Sequence, residues 1–136
     1  MIKRDFPKIH FYDQDFVDIY DRTWAWIQDS WFSGPEKGPF KGKFFAYPGS
    51  ARVTQLEAIL SSFFLVYSNR VYQANSTLDL FYEQQEANGA IRCAYDIATG
   101  DPVVGPENPE GLGLPLFAWA EYNLYHKSAN KNARFE

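Results

Sequence analysis

Gln55-Leu56-Glu57-Ala58-Ile59-Leu60-Ser61-Ser62-Phe63-Phe64 places its apolar residues in steps of one, three and four. With Tyr67 added, Leu56, Ile59, Leu60, Phe63 and Phe64 repeat at helical spacing and predict a helix over residues 53–67. Downstream, Ser76-Thr77-Leu78-Asp79 has the form of a capping box, an acid three residues after a hydroxyl. It opens a short helix through Leu80, Phe81 and Gln84 that Asn88-Gly89 would close. Residues 90–95 read as extended, and the Gly/Pro-rich residues 99–113 as loop. Pro115 suits the first turn of a further helix, with Leu116, Phe117, Ala120 and Leu124 on one face.

Upstream, Phe16, Ile19, Tyr20, Trp24, Ile27 and Trp31 mark one face of a helix over residues 15–32. Asp13 or Asp15 would cap its start, and Ser33-Gly34-Pro35 would stop it. Residues 34–50 alternate Gly and Pro with Phe40, Phe44, Phe45 and Tyr47, so they read as a long loop that is packed down or functional. The expected fold is mostly α: four helices joined by long aromatic-rich loops, in one domain over residues 1–136.

A chain of 136 residues with 46% hydrophobic residues can bury a real core. Its unusual property is 18% aromatic residues, which fill a core or line a surface that stacks on flat ligands. The net charge of −4, with no basic run, argues against a nucleic-acid partner. Cys93 is the sole cysteine, which excludes an intrachain disulfide and suits a reducing compartment. No apolar leader follows Met1, and no apolar run is long enough to span a bilayer, so the expectation is a soluble, cytoplasmic chain without a membrane partner.

No phosphate-binding glycine loop or Cys/His metal spacing occurs, and His10 and His126 stand at opposite ends of the chain. Hence no cofactor, no metal and no covalent nucleophile system is expected. Carboxylates beside aromatics are Glu57, Asp79, Glu83, Asp96 and Glu121, and paired carboxylates are what glycoside hydrolysis needs. Glu57 follows the aromatic loop at a point where a pocket mouth would lie, although a first-turn acid also complements a helix dipole.

Four segments in order carry a resemblance. They are Gln55-Leu56-Glu57-Ala58, then Leu78-Asp79-Leu80-Phe81-Tyr82 with Gln85, then Asn88-Gly89 with Ile91, then Pro115-Leu116 with Ala118-Trp119-Ala120-Glu121-Tyr122 and Tyr125. This order resembles the first hairpins of six-hairpin glycosidases, of the trehalase-like and glycoside hydrolase family 63-like (mannosylglycerate-hydrolase-like) kind. The resemblance implies the opening part of an (α/α)6 toroid, in an N-terminal fragment of, or a divergent relative of, a hydrolase of α-linked sugars that inverts with two carboxylates. It implies sugar contacts at Glu57, Tyr82, Gln85, Arg92 and Trp119. Leu56 stands where the family has Trp, and Ala94 where it has an acid. The family's catalytic acid and base lie in later hairpins, so no catalytic residue is expected here. The implied partners are a carbohydrate and either the missing C-terminal remainder of the toroid or a second copy. Two other readings remain open: a non-catalytic carbohydrate-binding module that stacks sugars on residues 40–47, and a helical interaction domain whose aromatics are core.

Overall fold

The computed structural model describes residues 6–34, 36–68 and 71–127. Most of the polar tail after His126, and the start of the chain through Asp5, lie outside the described residues. The elements run α1 (Gln14–Asp29), β1 (Trp31–Ser33), β2 (Lys43–Phe45), β3 (Arg52–Thr54), α2 (Gln55–Leu65), α3 (Ser76–Glu83), β4 (Ala94–Asp96) and α4 (Phe117–Lys127). Two two-stranded antiparallel sheets join the four helices, so the fold is mixed α+β. That corrects both the mostly α expectation and the toroid, because the helices do not line up as successive hairpins.

The strands explain where the helices stop and start. α1 ends at Asp29 because Ser30 turns its hydroxyl back to the Trp26 carbonyl (2.8 Å), and its N–H goes to the same oxygen. Trp31 and Phe32 then pair with Phe45 and Phe44, so the turn expected to end a longer helix instead connects two strands. In the second sheet Val53 faces Tyr95 and Thr54 faces Ala94. The Gln55 N–H continues the ladder to the Cys93 carbonyl at 2.7 Å. β3 therefore runs straight into α2. Thr54 forms the capping box there: its hydroxyl accepts the Glu57 N–H, and the Glu57 carboxylate accepts the Thr54 N–H. The box expected at Ser76 is not formed. Asn75 is the cap residue of α3, and its side-chain amide donates to Asp79 at 2.7 Å.

β2 divides the interior. Alternating side chains of a strand point to opposite faces. Phe44 enters the larger cluster, with Phe40, Val53, Ile59, Leu78, Phe81, Tyr95, Ala120 and Leu124. Phe45 enters the smaller one, with Ile27, Leu65 and Tyr72. The Phe45 N–H, which has no helix to serve, donates to the buried Thr77 hydroxyl at 2.9 Å and ties β2 to α3. α2 is the hub, packed against both α3 and α4. After β4, the Asp96 carboxylate accepts the Thr99 and Ala98 N–H groups, and these bonds hold it below the usual carboxylate range, the Thr99 N–H most of all. Gly100 closes that turn at φ +77, against the Pro39 ring.

No helix among the described residues is long and apolar enough to cross a membrane.

Candidate functional site

None of the residues expected to touch sugar lines either of the two pockets beside α1. Glu57 is engaged in the capping box, with the Thr54 hydroxyl 2.8 Å from its carboxylate. Tyr82, on α3, donates its hydroxyl to Glu121 of α4 at 2.8 Å. Gln85 donates to the Gly89 carbonyl at 2.9 Å, across the turn that follows α3. Arg92 holds Glu86 at 2.6 Å and also donates to the Glu110 carbonyl, latching two loops together. Trp119 is exposed on α4, its ring edge-on to Phe63 of α2 at 4.5 Å. Tyr82 and Gln85 are joined at the end of α3, where the Gln85 N–H donates to the Tyr82 carbonyl at 3.1 Å, while Trp119 stands apart on α4 against Phe63. The aromatic loop behaves as core: Phe40, Phe44 and Phe45 are buried, and only Tyr47 presents its ring to solvent. Among the described residues, no group of three or more His, Cys, Asp or Glu gathers to hold a metal.

A different apolar surface lies along α1. α1 carries sixteen residues, and one of them, Ile27, is buried. Its helix turns Ile27, Tyr20 and Trp24 toward the body. The segment before it covers that side, with Phe6 stacked on Trp24 at 4.7 Å and the Tyr20 hydroxyl on the Pro7 carbonyl at 2.8 Å. The next strip round the helix is apolar and open. Phe16 is 56% exposed, Ile19 60% and Trp26 41%. With Thr23 they step by three, four and three residues, the spacing of a coiled-coil seam over two heptads.

This strip borders a groove of about 610 Å³ lined by Phe11, Phe16, Ile19, Trp26, Ile27 and Phe64, among others. Aromatic contacts fix both of its ends. Phe11 meets Phe16 edge-on at 5.2 Å. Trp26 rests edge-on against Phe45 (5.9 Å) and Tyr47 (5.8 Å), and Phe45 in turn meets Phe64 at 5.6 Å. Trp26 is thus held before any partner arrives, so docking on it sacrifices little side-chain freedom. The outer border of the strip is charged: Asp15, Asp18 and Asp29 with Arg22, all exposed. A second apolar surface, with Leu56, Leu60, Trp119 and Tyr122 exposed, lies on α2 and α4.

The helical spacing of Phe16 and Ile19 was legible in the sequence; their exposure was not. Trp26 falls outside the face that the spacing marks. The available signal was the width of the apolar arc, since Trp24, Trp26 and Ile27 spread round α1 further than one packed face requires.

No family model matches this chain, and no solved structure matches it. A similar protein is an uncharacterized protein of Borreliella burgdorferi, 47% identical over 134 residues. The match covers 96% of this chain and 28% of that relative, so the chain spans little more than a quarter of the relative's length. The glycosidase resemblance is therefore corrected. No glycosidase model matches, and the fold is not a toroid. Its motif residues have a local explanation. Leu80, Phe81 and Ala120 are buried where α2, α3 and α4 meet, and any such junction selects large apolar residues facing small ones.

Proposed function

We propose that this chain is a non-catalytic interaction module that docks a protein partner through the open face of α1. The observation that carries the reading is the preformed apolar groove beside a helix that buries only Ile27. Contiguous exposed apolar surface of this kind, with Phe16, Ile19 and a Trp held in place at Trp26, has the composition of protein-binding hot spots. The relative supplies a rationale for the partner. Nearly three-quarters of its length lies outside the matched segment, so a homologous longer chain has ample polypeptide to cover the face.

The test is a chimera in which this sequence replaces the matched segment of the relative. Ile19→Cys in a Cys93→Ser background gives one thiol on the seam. Its maleimide labelling rate in the isolated chain is compared with that in the chimera. Labelling at least about tenfold slower in the chimera is expected, because a packed interface core excludes reagent as well as water. Equal rates in the two contexts would refute the docking face.

A further inference from the structure

We infer that the occupant of the α1 face is an amphipathic helix with lysine or arginine along one edge. This rests on the docking role proposed above and specifies the partner's chemistry. The shape argues for a helix. Phe16, Ile19, Thr23 and Trp26 form a straight seam on a rigid helix, about 15 Å long at 1.5 Å per residue. Phe11 and Phe64 add a wall to the groove beside it. A second helix laid in such a groove buries residues at the same three-and-four spacing. A strand has no edge to pair with along the seam, because between its first and last turns α1 spends its backbone groups within the helix.

Charge selects the edge. α1 holds Asp15, Asp18, Asp21 and Asp29 against the one base Arg22, and Asp13 caps its start. The whole chain is at −4. A second copy presenting the same face would bring acids against acids, and like-charge juxtaposition at an interface is unfavourable. A basic border on the incoming helix meets Asp15 and Asp29 across the seam instead. Lys8 and His10 line the adjoining pocket, which shares Ile9 and Trp24 with this groove, so these two bases stand at its other border, across the seam from Asp15, Asp18 and Asp29.

Designed peptides of three heptads test this against the isolated chain by calorimetry. One carries leucine on the seam and lysine along the border, a second has glutamate in place of lysine, and a third is the lysine peptide with its order scrambled. The lysine peptide should bind about tenfold more tightly than the glutamate peptide at low salt, with the ratio shrinking as salt rises. Ile19→Ser should weaken it about tenfold without shifting the chain's unfolding midpoint. Equal binding of the scrambled peptide would reduce the effect to bulk charge and overturn the inference. So would equal binding of the glutamate peptide, or a concentration-dependent dimer of the chain that Ile19→Ser abolishes. The thiol-labelling experiment separates the two levels. Slow labelling in the chimera with no binding of the lysine peptide leaves the docking face standing and rejects the basic helix.

Discussion

α1 and α2 are both amphipathic helices, but only α2 is enclosed by its own chain. α2 buries six of its eleven residues, and α1 buries one of sixteen. The buried set of α2 includes Ser61 and Ser62, whose hydroxyls donate back to the Ala58 and Ile59 carbonyls at 3.1 and 2.6 Å. Small residues with their polar atoms satisfied internally let α3 and α4 pack close on two sides. α1 instead presents large rings and branched chains, Phe16, Ile19 and Trp26, that stand exposed. In globular proteins most helix stability comes from burying an apolar face rather than from propensity. The contrast teaches that α2 is built to hold the fold, while α1 is built with a face to spare.

The largest expected effect breaks the enclosed side of this comparison. Phe81 is fully buried on α3, with its ring against Tyr95 at 5.5 Å and Phe117 at 5.9 Å. Phe81→Ala should cost about 3–5 kcal/mol, as a lost large core side chain leaves a cavity its neighbours fill only in part. Urea denaturation measures it. A loss under about 1 kcal/mol would mean that the α2–α3–α4 junction is not the stability centre.

The legible and illegible parts of the fold divide along the range of the interactions involved. Residues 55–65 and 117–127 announced themselves because helical spacing is written within a few residues. Of the strands only β4 was partly read, within the extended residues 90–95; the others went unseen, since each is three residues long and pairs at a distance, as Arg52 does with Asp96. The Thr54 and Glu57 capping box was half visible, as a first-turn acid at Glu57 whose cap residue went unread. Expected sugar contacts such as Gln85 and Arg92 lie in turns, and their hydrogen bonds to Gly89 and Glu86 are local geometry that residue identity alone does not reveal. Exposure of Phe16 and Ile19 was beyond reach for a related reason. Periodicity marks an apolar stripe but does not say which neighbour, if any, covers it.

An intermediate effect sharpens the comparison from the α1 side. Ile27 is the one buried residue of the helix, in the smaller cluster with Phe45, Leu65 and Tyr72, and Trp24 packs at its edge. Ile27→Ala should cost about 2–3 kcal/mol, at the lower end for a buried Ile because the adjacent groove lets the site relax. Native-state amide exchange gives the more telling readout. Residues of α1 should lose protection before those of α2, as local opening precedes global unfolding where buried contacts are few. Simultaneous loss in both helices would show that α1 is coupled to the hub as tightly as α2.

The smallest expected effect on stability is the most discriminating for function. Phe16→Ala removes a ring from the N-terminal end of the seam, at a position open to solvent in the isolated chain. A surface substitution of this kind changes stability by less than about 0.5 kcal/mol, apart from a slight gain from alanine's helix propensity. Urea midpoints of the wild-type chain and the variant should therefore coincide, although the residue is as large and apolar as Phe81. Two phenylalanines of one chain would then differ by several kcal/mol for a single reason: one already has its neighbours, and the other awaits them. A loss above about 1 kcal/mol at Phe16 would show that the seam is already covered by the chain's own residues. The docking face would then have no vacancy to offer a partner helix.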